Sequence, residues 1–198
     1  MPATNDDGAK MKEIATAICL LAIACCTFAA EVSGIKIDDK ATVGGQDLVL
    51  NGAGMRTRLF IKVYVGALYL PQKTNTLQGV IGRNQPRRMA LALQRDVSAE
   101  QLLEAMRAGL ADNNSQADLD AIKPQVNQFA TIFKSVGEAK AGQMIVIDYA
   151  PADGTRIALD GVAKGTIAGE AFNKALLRTW LGEKPVQESL KKALLGSG

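Results

Sequence analysis

The sequence predicts an α+β domain, a large antiparallel sheet with its helices gathered on one side. Three observations lead there. From residue 31 the first half is a series of short β-branched and aromatic runs bounded by glycine and proline. A block with helical spacing of apolar residues follows over 98–136. A hairpin signal and two C-terminal helices then close the chain, so strands and helices come in blocks rather than in alternation.

Taken in order, Ile35-Lys36-Ile37 is a short alternating strand. Asp47-Leu48-Val49-Leu50 follows a Gly44-Gly45 turn, and Asn51-Gly52-Ala53-Gly54 reads as another turn. Arg56 to Leu70 (RTRLFIKVYVGALYL) reads as a single strand bounded by Gly54 and Pro71. It is long for one strand, so a bend or bulge is expected near Gly66. Arg87 to Arg95 is a further strand after Pro86. Ser98 with Gln101 three residues later forms a capping box. The helix it opens carries Leu102, Leu103, Met106 and Leu110 on one face and closes at Asn113-Asn114. Leu119, Ile122, Val126, Phe129, Ile132, Phe133 and Val136 mark a second helix ending at Gly137, with Pro124 either in its first turns or marking its real start. Gln143–Tyr149 and Thr155–Leu159 pair through the turn Pro151-Ala152-Asp153-Gly154. Asp160-Gly161 turns the chain into a short strand near Thr166-Ile167. Phe172, Ala175, Leu176 and Trp180 make a helix closed by Gly182, and Val186–Leu195 is a last helix after Pro185.

The first residues are an address rather than a fold. Ile14 to Ala30 (IATAICLLAIACCTFAA) is apolar, follows Lys12, ends in small residues and is not followed by a stop-transfer cluster. Residues 1–29 are therefore expected to be a secretory signal peptide, with translation starting at Met11, and 30–198 to be the mature domain in the periplasm or secreted. The alternatives are an uncleaved membrane anchor and a lipidated cut before Cys25. All three cysteines, Cys19, Cys25 and Cys26, lie in that segment, so the mature chain has no disulfide, thiol nucleophile or thiolate metal site.

Composition narrows the chemistry. The chain has no histidine, which removes Ser-His-Asp and Cys-His relays, His-ligated zinc and imidazole-held haem. Lys and Arg number 23 against 20 Asp and Glu, a formal charge of +3 without a basic run, so nucleic acid is not an expected partner. The glycine pairs do not open helices, so they are not phosphate loops. Alternation within Arg56–Leu70 would put Arg56, Arg58, Phe60, Lys62 and Tyr64 on one face and Leu59, Ile61, Val63 and Val65 on the other. The second set is a core face. The first is either a solvated outer face or a cleft where Arg56 and Tyr64 grip an acidic head group, the guanidinium by paired hydrogen bonds and the phenol by one more. Tyr69, Tyr149 and Trp180 read as packed residues, and Asp148, Asp153 and Asp160 as turn-flanking acids.

The runs Asn51-Gly52-Ala53-Gly54-Met55-Arg56 and Phe60-Ile61-Lys62-Val63-Tyr64-Val65-Gly66-Ala67-Leu68-Tyr69-Leu70-Pro71 resemble the central motif of the chalcone isomerase family, most of all its bacterial chalcone isomerase-like branch. Ser98–Asn114, Gln143–Gly161 and Phe172–Gly182, ending Arg178-Thr179-Trp180-Leu181-Gly182, agree in order, and the resemblance spans residues 38–196. It implies an open-faced β-sandwich with a ligand cleft between sheet and helices. In the plant enzymes the reaction is a cofactor-free ring closure of a chalcone to a flavanone. There a sheet arginine guides the phenolate and a hydroxyl-bearing residue assists. By the resemblance Arg56 takes the arginine place and Tyr64 the hydroxyl place, as in family members that bind fatty acids. The spacing between the two is shorter than in the plant motif. The tyrosine place of the plant active-site helix falls near Gln101, and the asparagine place at Asn113 or Asn114, which fit equally well as helix C-terminal residues.

The expected function is an exported, cofactor-independent binding protein for a fatty acid or similar amphipathic carboxylate, with Arg56 and Tyr64 at the head group and Asn113 as a further contact. One alternative is a cofactor-independent isomerase, or intramolecular lyase, acting on a chalcone-like phenolic substrate through the same Arg56 and Tyr64. The other is an envelope interaction module with an empty cleft, its basic strip meeting a protein or an anionic lipid surface. No cofactor or metal is expected in any of these.

Overall fold

The computed structural model describes residues 30–197. The expected signal peptide over 1–29, with the Met11 start and all three cysteines, lies outside the described residues. In order the elements are β1 (Ala30–Val32), β2 (Ile35–Ile37), β3 (Lys40–Val43), β4 (Gln46–Arg58), β5 (Ile61–Leu70), α1 (Leu77–Ile81), β6 (Arg87–Leu93), β7 (Val97–Ser98) and α2 (Ala99–Asn113). Then come α3 (Gln116–Ala121), α4 (Lys123–Val136), β8 (Glu138–Ala139), β9 (Met144–Ala150), β10 (Gly154–Leu159), β11 (Val162–Ile167), α5 (Glu170–Leu181) and α6 (Glu188–Leu194).

Seven strands form one antiparallel sheet in the order β11-β10-β9-β6-β5-β4-β3. Two meanders, β3 to β6 and β9 to β11, meet at the β6–β9 pair. The helical block α2–α4 is spliced in at that junction. Its apolar faces, with those of α5 and α6, bury against Leu68, Leu91, Ile145, Ile147 and Ile157 on one side of the sheet. The expected α+β layering holds. The other side carries a smaller cluster, Val65, Ala67, Tyr69 and Ala90, covered by Val32, Ile35 and Ile37 of the β1–β2 hairpin.

Local chemistry sets the helix ends. The Ser98 hydroxyl accepts from Gln101 N and the Gln101 side chain accepts from Ser98 N, so the capping box forms in full. Pro124 sits in the first turn of α4, where the missing N–H leaves no partner unpaired. Among the described residues, no helix is long and apolar enough to cross a membrane.

Three expectations fail, each for a physical reason. Arg56–Leu70 is not one strand. Leu59 and Phe60 have φ of 49° and 68°, and Arg58 pairs with Ile61, so the run folds into a two-residue hairpin between β4 and β5. No Gly, Asn or Pro marks that turn. Asn51–Gly54 is not a turn but the middle of β4. A Cβ on Gly52 would fall 2.0 Å from the Ala193 carbonyl oxygen, and one on Gly54 2.6 Å from the Ala193 Cβ. These glycines are spaces in the sheet surface on which α6 lies. The register breaks between Leu50 and Gly52 and between Arg56 and Thr57, leaving Asn51 and Val63 unpaired, while Gly66 keeps regular pairing. Asp148 is not a turn residue either. It is buried inside β9 and accepts from both Arg88 and Arg156.

Candidate functional site

A cleft of about 130 Å³ opens between the sheet and the helices near the β4–β5 hairpin. Its floor is Val63 and Tyr64 of β5, Leu91 of β6 and Ile147 of β9. Its walls are Leu102 and Met106 of α2, Phe129 and Phe133 of α4, and Leu176, Thr179 and Trp180 of α5. Phe129 and Phe133 stack at 4.3 Å between ring centroids, which stiffens the inner wall. Arg56, Arg58, Arg95 and Gln101 add the polar lining. No carboxylate is part of the lining, and among the described residues none pairs with any of these arginines.

The hairpin positions the proposed pair. Arg56 and Tyr64 are directly opposed across β4 and β5, and directly opposed residues share a face. They meet through cross-strand register, not through alternation along one strand. The unpaired Val63 bulges the strand there, so Val63 and Tyr64 both reach the cleft. Phe60 and Lys62, expected on the same face, instead sit at the exposed hairpin end, and neither lines the cleft.

Hydrogen bonding leaves this pair open. Arg56 Nη1 donates to the Val186 carbonyl oxygen at 2.7 Å, which ties the guanidinium to the segment before α6. Its other nitrogens have no partner among the described residues. Trp180 Nε1 donates to the Tyr64 hydroxyl oxygen at 2.8 Å. That bond uses Tyr64 as an acceptor and leaves its own O–H to donate. Burial pushes the Tyr64 phenol up to about 12, while the charge of Arg56 and the Trp180 bond lower it in part. The phenol is therefore a neutral donor at ordinary pH. Thr179 adds a third polar group: its Oγ1 is buried and has no hydrogen-bond partner among the described residues.

Asn113 does not belong to this site. Its side chain donates to the Gly109 and Lys184 carbonyl oxygens and accepts from Lys184 N, closing α2 against the α5–α6 connection. Asn114 is held likewise, by Arg178 and two carbonyl oxygens. Gln101 does reach the lining, but its amide oxygen caps α2.

Sequence reasoning missed Thr179 and the polar role of Trp180, which it read as packing alone. A signal existed in Gly109, a glycine in mid-helix: a Cβ there would fall 2.2 Å from Thr179 Cγ2. That glycine lets α2 approach α5 at the level of Thr179. Tyr149, by contrast, is packed as expected, with its hydroxyl donating to Asn84 Oδ1 at 2.7 Å.

Comparison with known proteins agrees with the architecture. No curated protein matches the sequence. Among solved structures, a fatty-acid binding protein of Arabidopsis thaliana superposes with a TM-score of 0.64 at 14% identity, over 82% of this chain and 92% of that one. The family model described as chalcone isomerase-like matches residues 29–196. With nearly the whole described chain inside that match, the protein belongs to the chalcone isomerase-like family.

Proposed function

We propose that this chain binds a small amphipathic carboxylate, a fatty acid or a close analogue, and does so without chemical turnover. The observation that carries the reading is the charge pattern of the cleft: an apolar interior, three arginines at its lining and no carboxylate. An anion entering it meets an Arg56 guanidinium not yet paired and a neutral Tyr64 hydroxyl ready to donate. The apolar tail meets Phe133, Met106 and Leu176. The Arabidopsis protein of the same fold is named a fatty-acid binding protein, which supports this reading.

The volume sets the ligand's size. At about 130 Å³ the cleft is smaller than pockets for drug-sized molecules, which begin near 300 Å³. A head group and a short apolar chain fit as folded. A long acyl chain requires α2 to move off the sheet or leaves its end at the mouth. Each buried methylene contributes about 0.8 kcal/mol, so affinity rises with chain length until the cleft is full.

Native mass spectrometry of protein purified without detergent tests the reading, with a solvent extract run alongside. A bound carboxylic acid in wild type, lost in Arg56→Ala, is the expected result. Retention in Arg56→Ala would remove the head-group site, and acceleration of chalcone ring closure over buffer would replace binding with catalysis. We further propose export to the periplasm or beyond, from the apolar segment Ile14–Ala30 behind Lys12. Intact mass of the protein recovered from the cell envelope, shortened by residues 1–29, is the expected outcome.

A further inference from the structure

We propose that the tip of the β4–β5 hairpin is a membrane-docking element that inserts Leu59, Phe60 and Ile61 into the surface of an anionic lipid bilayer. Leu59 is 83% exposed, Phe60 102% and Ile61 52%. These three consecutive residues are the most concentrated apolar exposure among the described residues; the other large exposed hydrophobics, Met144 and Val162, lie on other strands. Scattered single apolar residues are ordinary on a surface, but a contiguous projecting run is not.

The backbone makes the choice of residues more telling. A two-residue turn with φ above zero at both positions favours Asn-Gly or Asp-Gly, where side-chain clash is least. Here leucine and phenylalanine occupy the two positions at φ of 49° and 68°. Both local strain and exposure therefore oppose these residues, and nothing within the fold compensates, because Phe60 contacts only solvent. Insertion into lipid removes the second cost.

Charge selects the partner. Arg58 and Lys62 flank the apolar tip and are both exposed, and Arg56 and Arg95 stand behind them at the cleft. A narrow apolar wedge with a cationic collar matches the acyl boundary and the anionic head groups of a bilayer, one above the other. The tip alone is too small for a stable protein interface, which takes about 800 Å² from each side. Arg58 also lines the cleft, so a docked hairpin would bring the cleft opening to the head-group layer. The docking inference does not rest on the ligand reading.

The test uses the full chain carrying Phe60→Trp, mixed with vesicles of phosphatidylglycerol and phosphatidylcholine in equal parts. Bromine on the lipid acyl chains quenches a tryptophan only where it enters the hydrocarbon, so the signal reports the tip whatever the N-terminal segment does. The wild-type chain, whose Trp180 lies inside the fold, supplies the background. Expected are a blue shift and quenching above that background, with binding through the tip weakened roughly tenfold or more by Arg58→Glu with Lys62→Glu. Pure phosphatidylcholine should give the same loss. An unshifted, unquenched emission on anionic vesicles would overturn the proposal and leave a protein as the tip's partner. Quenching indifferent to head-group charge would overturn its anionic part. Arg56→Ala that loses carboxylate yet keeps tip quenching separates the two readings.

Discussion

Arg87 and Arg56 both stand on the large sheet, and the fold treats them oppositely. Arg87, at the start of β6, is 1% exposed and surrounded by partners. Its Nε donates to Asn173 Oδ1 at 2.6 Å, Nη1 reaches the Val80 and Arg83 carbonyl oxygens, and Nη2 meets Glu170 at 3.4 Å. The guanidinium also lies 4.5 Å from the Tyr149 ring centroid. Arg56 has one hydrogen bond, to the Val186 carbonyl oxygen, and an apolar cleft in front of it. A satisfied buried cation holds elements together, here β6, α1 and α5. A partly satisfied one beside a cavity suits the proposed recognition role, because its remaining donors gain most from an incoming anion. The contrast yields predictions of decreasing size.

The largest effect belongs to Arg87. Arg87→Met leaves the buried Asn173 Oδ1 and the Val80 carbonyl oxygen without this donor, while Glu170 keeps Lys174 at 3.0 Å. Each buried acceptor so orphaned costs about 1–3 kcal/mol, a loss of about 2–5 kcal/mol in all. Denaturant unfolding should show that loss, with carboxylate affinity of the folded fraction unchanged. A drop below about 1 kcal/mol would mean the network is dispensable and the contrast false.

Alkaline unfolding comes next. The folded Tyr64 phenol ionises near 12, against about 10 when unfolded. Between those values the unfolded chain binds fewer protons than the folded one, so stability falls as pH rises. The contribution is complete below pH 10 and is lost by about pH 12, on the order of 2–3 kcal/mol. Tyr69, also pushed up to about 12 by burial, acts in the same direction. Thermal melts of wild type and Tyr64→Phe isolate the cleft tyrosine: the variant should lose less stability over that window, and an identical slope would contradict the burial.

For Arg56 the balance reverses. Arg56→Ala removes one hydrogen bond to a half-exposed carbonyl region and should cost about 1 kcal/mol or less. The same change should weaken carboxylate binding by roughly tenfold or more, since a charged hydrogen-bonding partner is worth about 1.5–3 kcal/mol. Calorimetric titration with a short fatty acid reads the second quantity. A protein that unfolds more readily but binds as before would make Arg56 structural, like Arg87.

These outcomes bear on what the sequence allows to be read. Periodicity and caps placed α2, α4, α5, α6 and the β9–β10 hairpin, because each signal there acts over a few neighbouring residues. The β4–β5 turn was illegible because Leu59-Phe60 carries none of the residues such a turn favours. Asn51–Gly54 misled for the converse reason: its turn-like residues serve a close approach by α6, a contact far away in the chain. Arg56 and Tyr64 could be singled out as residue types that grip an acid. Their meeting depends on cross-strand register, which the alternation argument did not contain. Asn113 could not be told from a helix-closing residue until its partner Lys184 was in view.

The smallest predicted change is the one whose two signs are hardest to obtain by accident. Thr179 is 3% exposed, lines the cleft and has an Oγ1 without a partner among the described residues. A buried hydroxyl in that state costs about 1–3 kcal/mol, because its lost water is not replaced. Thr179→Val keeps the shape and deletes the hydroxyl, so the ligand-free protein should melt higher, by up to about 1 kcal/mol of added stability. If that hydroxyl bonds the bound head group, carboxylate affinity should fall at the same time. A rise in stability with unchanged affinity would confine the site to Arg56 and Tyr64. A fall in stability would mean that Thr179 has a partner inside the fold and that its place at the cleft is incidental. Opposed signs, more stable and less able to bind, are what a polar group held in readiness for a ligand must produce, since the fold bears its desolvation and only the complex repays it.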